Sequence, residues 1–176
     1  AKATRNNSLR ALDKLTEIVD GRRTIVPDPP LIIRFDGMTA ADESDAVGKF
    51  LDRYRQSLPL DRRMILDRFS LVDIARKVVG VGSVGIRCLI VLLEAGDGTP
   101  LFLQFKQALP SVLEAHLGAS AFEQAGQRVV EGQRLTQAAS DIMLGWIKIE
   151  GVDGIARDFY IRQLWDSKMS AQVELM

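Results

Sequence analysis

The chain has 176 residues, and its 23 lysines and arginines equal its 23 aspartates and glutamates, so no net charge attracts nucleic acid or an anionic membrane. Hydrophobic residues make up 47% of the chain, which provides a folded core and excludes global disorder. The single cysteine, Cys88, excludes a disulfide framework or a cysteine-based zinc site within these residues.

The sequence favours a cytoplasmic protein in a reducing compartment. Its longest apolar run, residues 88–93, is too short to cross a bilayer, and residues 1–5 lack the apolar centre of a signal peptide. We therefore expect neither a membrane nor a nucleic acid as a partner. Ala1 stands in place of an initiator Met and Met176 ends the chain uncapped, so we expect a piece of a longer protein.

Three helices are predicted in the N-terminal part of the chain. Apolar residues at helical spacing predict a helix over residues 8–19, with Gly21 just past its end. Residues 44–57 and 61–69 are predicted to form two more helices, which are separated at Pro59 and expose their arginines to solvent.

An extended arm is predicted between the first and second helices. The stretches 22–26 and 31–35 resemble strands, but the three prolines between them prevent a regular ladder and favour an edge hairpin or an arm. Residues 1–69 are therefore assigned to an N-terminal helical and arm region, and residues 70–176 to a second region.

A glycine-rich G-x-G-x-x-G pattern at residues 80–85 lies between two predicted strands, one from Asp73 onward and one over residues 86–93. In dinucleotide-binding folds this pattern opens a helix, so a strand after the glycines argues against such a fold. Glycines let backbone N–H groups approach phosphate oxygens, and a serine adds a hydroxyl donor. The alternative is a tight turn without a ligand. The candidate phosphate contacts are Gly80, Gly82, Ser83 and Gly85.

A turn over residues 94–100 leads to a strand over residues 101–106, which ends in Lys106. Strand, glycine segment, strand, turn and lysine-bearing strand is the order found over ATP phosphates in protein-kinase-like folds. In such a site Lys106 would bridge the phosphates and a carboxylate on the following helix, with Glu131 the first choice and Glu114 the second. The alternative is a solvated lysine at a strand end.

The remaining residues complete a small sheet. Residues 110–117 and 119–139 are predicted to be helices, and residues 142–149 and 156–164 a second hairpin. The fold class is therefore α+β, with a small antiparallel sheet and a helix packed across it, like the N-terminal lobe of a kinase-like fold, plus the N-terminal helices.

Two further positions bear on function. Leu164 and Trp165 lie where a kinase-like hinge would meet adenine, although large residues at strand ends usually pack between elements. His116 is the only histidine and has no cysteine, serine or acidic cluster near it in the sequence, so it supports neither a catalytic triad nor a metal site. No catalytic residue and no metal ligand is expected in this chain.

Four words carry a resemblance to a known family. They are VDIARKVVGVGSVG at residues 72–85, LQFK at 103–106, QRVVEGQRL at 127–135 and YIRQL at 160–164. Together they resemble the bacterial uncharacterised family called domain of unknown function 2252, over about residues 12–171.

This resemblance implies a distant likeness to protein-kinase-like and aminoglycoside-phosphotransferase-like folds, with ATP and Mg²⁺ as cofactors. Relatives also carry words that resemble a kinase catalytic loop and metal-binding aspartates, Gly-Asp-x-His-x-x-Asn-Phe-Gly and Asn-Asp-Phe-Asp, and neither occurs here. The chain departs from its relatives at Ile86, Gln107 and Trp165, where Thr, Glu and Arg are common. The change at Gln107 removes any acidic role at that position.

The resemblance thus implies the ATP-binding lobe of a phosphotransferase that is inactive alone, because the base and the Mg²⁺ ligands lie elsewhere in the parent chain. The implied partners are a nucleotide, an unidentified substrate and the missing portion of the parent, and exposed apolar surface makes self-association plausible. The alternatives are a non-catalytic ligand-binding module and a structural or interaction domain.

Overall fold

The computed structural model describes residues 8–34, 40–78, 85–150 and 154–164. None of the helices in these ranges is long and apolar enough to cross a membrane. In chain order the elements are α1 (Ser8–Leu15), β1 (Thr16–Val19), β2 (Arg22–Ile25), β3 (Ile32–Ile33), α2 (Ala40–Gln56), α3 (Leu60–Leu66), β4 (Phe69–Lys77), β5 (Cys88–Ala95), β6 (Pro100–Ala108), α4 (Glu114–Leu117), α5 (Ala125–Thr136), β7 (Gly145–Glu150) and β8 (Ala156–Gln163).

Six strands form one antiparallel sheet in the order β3-β4-β5-β6-β8-β7, and β1 and β2 form a separate two-stranded sheet. Strands β4, β5 and β6 are consecutive neighbours. After β6 the chain passes through α4 and α5 and returns as the β7–β8 hairpin, whose second strand pairs with β6. The predicted α+β class, with a small antiparallel sheet, a helix across it and helices at the N-terminal side, is confirmed.

Side chains alternate between the two faces of the sheet and supply an apolar cluster to each face. We call the face covered by α1 and the β1–β2 hairpin the front face, and the face covered by α2 and α3 the back face. The front cluster includes Leu12, Leu15, Ile25, Ala75, Ile90, Leu92 and Phe102. The back cluster includes Tyr54, Leu58, Leu66, Val91, Leu93, Leu103, Phe105, Ile147 and Ile161.

The break at Pro59 is confirmed, since α2 ends at Gln56 and α3 begins at Leu60. Helix α2 is fixed to the sheet by Tyr54, whose fully buried hydroxyl donates a 2.5 Å hydrogen bond to the carbonyl of Met143. The arginines differ in exposure: Arg55 is exposed, whereas half-buried Arg63 donates 2.7 Å and 3.1 Å hydrogen bonds to backbone carbonyls.

The helix predicted over residues 8–19 is wrong beyond Leu15. Residues 16–19 form β1, which pairs with β2, and the two-residue turn between them has positive φ at Asp20 (50°) and Gly21 (75°). Positive φ at both central residues matches the twist of a tight hairpin, and Asp-Gly is a favoured pair for it. Gly21 therefore closes a hairpin turn instead of ending a helix.

The extended arm also differs in part from the prediction. The stretch at 22–26 pairs with β1. Of the described residues 31–34 in the second stretch, Ile32–Ile33 form β3, which pairs with β4 at the edge of the large sheet. The two stretches are thus edge elements but do not pair with each other. The second hairpin is confirmed as β7 and β8, and the helix predicted over 119–139 is shorter, at Ala125–Thr136.

Helix α5 lies close against β7 and β8 because a glycine faces the sheet. A Cβ atom at Gly126 would lie 2.3 Å from the carbonyl oxygen of Phe159 and 3.3 Å from the Cβ of Trp146. At the same end, the backbone N–H of Ala125 donates a 2.8 Å hydrogen bond to Oδ2 of Asp158. Both contacts fix the start of α5 over the β7–β8 hairpin.

Candidate functional site

Lys106 lies in a row of side chains that crosses the front face of the sheet. Strand pairing places Lys106 opposite Cys88 on β5 and opposite Tyr160 on β8, and Tyr160 opposite Trp146 on β7. The pairing of Arg76 with Leu89 makes Lys77 the residue next to Cys88 on β4. We call Lys77, Cys88, Lys106, Tyr160 and Trp146 the Lys106 row.

A second polar pair lies beside this row on the same face. Gln104 and Arg162 pair with each other two residues along β6 and β8, so their side chains point to the same side as Lys106. Gln104 is only 3% exposed, and its Oε1 accepts a 3.5 Å hydrogen bond from Nε of Arg162. The contact holds the guanidinium of Arg162 beside Gln104.

Cys88 lies near the cationic side chains of the front face. Burial raises the pKa of its thiol to about 11, and Lys106, a hydrogen bond with Gln104, Lys77 and Arg162 all act in the opposite direction. Three cationic groups therefore lie close enough to one buried thiol to act on it. Such a surface stabilises an anion, because the positive groups are already gathered and partly desolvated.

Two other groups of the row respond to the same environment. Burial lowers the pKa of Lys77, with Cys88 acting to raise it and Lys14 of α1 to lower it. Burial also raises the pKa of Tyr160, which Arg162 partly offsets. An anionic ligand at this surface would favour the charged form of Lys77.

The Lys106 row is bounded on both sides by helices. On one side α1 packs on β6, and its Leu12 and Leu15 belong to the front cluster. On the other side α5 covers Trp146, with the guanidinium carbon of Arg134 5.7 Å from the centre of its ring.

The residues proposed from the sequence fall in several places. Gly80, Gly82, Ser83 and Trp165 lie outside the described residues. Gly85 is exposed and has a φ of 84°, which a glycine adopts without strain. Lys106 is half-buried on β6, which continues two residues beyond it to Ala108.

The two candidate carboxylates each have a cationic neighbour on α5. Oε1 of Glu131 lies 2.9 Å from Nη1 of Arg134. Oε1 of Glu114 lies 4.0 Å from Nε of Arg128 and accepts a 3.0 Å hydrogen bond from the N–H of Ser111. The pairing of either carboxylate with Lys106 stays a prediction.

Leu164 follows β8 and packs partly buried against the front cluster, and its N–H donates a 3.0 Å hydrogen bond to the carbonyl of Phe102. It therefore shares the face of Lys106, and its role as a hinge stays a prediction. His116 is exposed on α4. In the part of the chain that the structure describes, no three His, Cys, Asp or Glu side chains form a metal-binding group.

Sequence reasoning missed Lys77, Gln104 and Arg162. Each belongs to one of the four sequence words that carry the family resemblance. A sequence word does not show which side chains share a face of the sheet. The alternation of β6 would have placed Gln104 with Lys106, since the two are separated by one residue. Adding Lys77 and Arg162 required the strand pairing.

The fold and the front face define an α+β protein whose antiparallel sheet carries a half-buried cationic surface. A family model described as "Uncharacterized protein conserved in bacteria (DUF2252)" matches residues 1–176, so the chain belongs to this family. The resemblance seen in the four words is confirmed, and the match covers the entire chain. No curated protein and no solved structure matches the chain.

Proposed function

We propose that the front face binds the phosphates of ATP and that this chain is the nucleotide-binding lobe of a kinase-like phosphotransferase. The observation that carries the proposal is the strand pairing that places Lys77, Lys106 and Arg162 on one face of neighbouring strands, with Cys88 between Lys77 and Lys106. Lysine and arginine side chains are the usual protein partners of phosphate groups. In the sequence, the glycine-rich segment at residues 80–85 lies between Lys77 at the end of β4 and Cys88 at the start of β5.

The order of the elements supports the same assignment. Strand β4, the glycine-rich segment, β5 and β6 with Lys106 are followed by α5 with Glu131 and by two further strands. In protein kinases a glycine-rich loop covers the phosphates, the lysine lies on the third strand, and its glutamate lies on the helix that follows. Helix α5 also lies on the face to which Lys106 points.

In this proposal the phosphates supply the negative charge that faces Lys106, and α5 supplies a carboxylate when the complete site forms. Glu131 would have to exchange Arg134, 2.9 Å away, for Lys106. The base and the Mg²⁺ ligands come from the region that contains the catalytic-loop-like words. The lobe therefore binds Mg²⁺–ATP, while phosphoryl transfer needs the parent chain.

The test is a titration of this chain with Mg²⁺–ATP, followed through backbone amide NMR signals and by calorimetry. We expect shifts at residues 80–85 and around Lys106, Tyr160 and Leu164. Lys106→Ala removes a charge-assisted phosphate contact, so the dissociation constant should rise by about tenfold or more. Lys49→Ala is the matched control, because Lys49 is an exposed lysine on α2, which covers the back face.

Equal loss of affinity in both lysine variants would indicate a general charge effect and refute the site. A folded chain whose front-face signals do not move at millimolar Mg²⁺–ATP would refute nucleotide binding by this lobe. If binding is specific but a parent protein with the catalytic-loop-like words transfers no phosphate, the transferase assignment fails and a ligand-binding module remains.

A further inference from the structure

A cavity lies at the N-terminal end of α5, beyond the Lys106 row. Its volume is about 340 Å³, which falls within the range of small-molecule sites and far exceeds the space that one water molecule needs. The end of β6, the segment before α4, the first turn of α5 and the ends of β7 and β8 form its walls. The residues that line it include Glu114, Phe122, Arg128, Lys148, Ile155 and Asp158.

Asp158 lines this cavity and has one acceptor atom without a hydrogen bond. Its Oδ2 accepts the 2.8 Å hydrogen bond from the N–H of Ala125 and thereby caps α5. Its Oδ1 is buried and accepts no hydrogen bond from any described residue. Nζ of Lys148 lies 3.6 Å from that oxygen, at ion-pair distance.

Arg128 lines the same cavity and has one donor atom without a hydrogen bond. Its Nη2 donates a 2.8 Å hydrogen bond to the carbonyl of Leu109, which fixes the guanidinium. Its Nε is buried and has no hydrogen-bond acceptor among the described residues, since Oε1 of Glu114 is 4.0 Å away. An unsatisfied buried donor and an unsatisfied buried acceptor are both costly, and the two residues that carry them line one cavity.

The wall carries equal numbers of positive and negative side chains. Three cations, Arg128, Lys148 and Arg157, and three carboxylates, Glu114, Glu123 and Asp158, line the cavity. This balance disfavours a polyanion such as a nucleotide and equally a polycation, whereas a dipolar molecule finds a partner for each end. Apolar lining by Phe122 and Ile155 leaves room for a hydrophobic group.

We propose that this cavity binds a small zwitterion, specifically an α-amino acid with an apolar side chain. The carboxylate of the ligand pairs with the guanidinium of Arg128, and its ammonium pairs with the carboxylate of Asp158. The apolar side chain packs against Phe122 and Ile155. This proposal does not depend on the proposed nucleotide site, although Glu114, the second candidate partner of Lys106, also lines the cavity.

The test titrates the chain with L-leucine, L-methionine and L-phenylalanine, each followed through the amide signals of Ala108, Phe122, Ala125 and Ile155. We expect at least one of the three to shift these signals at millimolar concentration. The N-acetyl derivative lacks the ammonium and the carboxamide derivative lacks the carboxylate. Each loses one charge-assisted hydrogen bond, so each should bind about tenfold or more weakly.

Two arginines of α5 provide a matched pair of variants. The Arg128 and Arg134 side chains are equally exposed, at 28%, but only Arg128 lines the cavity. Arg128→Gln should abolish binding of the amino acid, and Arg134→Gln should preserve it. Asp158→Asn should also abolish binding. Because Asp158 caps α5, the result with Arg128→Gln decides the test if Asp158→Asn does not fold.

Three results would overturn the proposal. The first is the absence of shifts with all three amino acids at millimolar concentration. The second is equal binding of the zwitterion and its blocked derivatives. The third is equal loss of binding in Arg128→Gln and Arg134→Gln. Mg²⁺–ATP is included as a further ligand, and shifts of these four signals by ATP alone would show that the cavity belongs to the nucleotide site.

Discussion

Cys88 reports the electrostatics of the front face, because it is 2% exposed and lies among Lys106, Lys77 and Arg162. Burial raises its pKa to about 11 in the folded protein, whereas an unfolded cysteine titrates at about 8.5. The folded state thus holds the proton more tightly. The stability that the raised pKa of Cys88 contributes is complete below the pKa of the unfolded cysteine and is lost as the pH rises toward 11.

We therefore predict that the chain becomes less stable between about pH 8 and about pH 10.5, and that Cys88→Ala removes part of this loss. The unfolding free energy of the parent chain should fall by about 2 kcal/mol more than that of Cys88→Ala. Urea unfolding of both proteins at the two pH values measures the difference. Because lysines titrate in both proteins, the comparison isolates the thiol. Parallel losses would show that the thiol pKa is not raised.

Helix α5 carries residues of both proposed sites, so its distance from the sheet controls both. A Cβ at Gly126 would lie 2.3 Å from the backbone oxygen of Phe159, whereas a Cβ at Gly132 on the same helix meets nothing within 4 Å. Gly126→Ala should push α5 away from the sheet and destabilise the protein by about 1–3 kcal/mol.

Gly132→Ala is the control and should stabilise the protein by about 0.5–1 kcal/mol, because alanine favours a helix and lowers the entropy of the unfolded chain. Thermal and urea unfolding measure both changes. If Gly126→Ala is as stable as Gly132→Ala, α5 does not pack on β8 as closely as described.

The error at α1 shows where periodicity stops being informative. Ile18 and Val19 continue the apolar spacing of α1, yet they are 65% and 46% exposed in β1, so burial does not explain their position. The Asp20–Gly21 turn decides the local structure, because positive φ at both residues closes a hairpin. A reading that weighed this turn above the apolar spacing would have ended the helix earlier. The later elements were predictable because long apolar strands are separated by clear turns.

Much of the candidate site was predictable one residue at a time but not as a cluster. Lys106 stands out at the end of an apolar run, and the glycine pattern stands out by composition. The contributions of Lys77 and Arg162 depend on how β4, β5, β6 and β8 pair, and the β4–β5 register shifts between Leu71 and Asp73. The partner of Glu131 likewise depends on the rotation of α5, which presents Arg134 three residues away.

The two regions assigned from the sequence, residues 1–69 and 70–176, share both apolar clusters. Leu12, Leu15 and Ile25 enter the front cluster, and Tyr54, Leu58 and Leu66 enter the back cluster. A further link is polar. The buried carboxylate of Asp73 on β4 accepts hydrogen bonds from the N–H of Ile25 at 2.6 Å and from Arg34 at 3.1 Å.

These shared contacts predict that the chain unfolds as one cooperative unit, so tryptophan fluorescence and far-ultraviolet circular dichroism should give the same urea midpoint. Asp73→Ala leaves the N–H of Ile25 without its acceptor and should lower the unfolding free energy by about 3 kcal/mol, moving both midpoints together. Arg34→Ala should cost less than about 1 kcal/mol, because the Arg34 side chain is 42% exposed. Separate midpoints for the two signals would instead support a boundary at residue 69, with the N-terminal region unfolding from a sheet that stays intact.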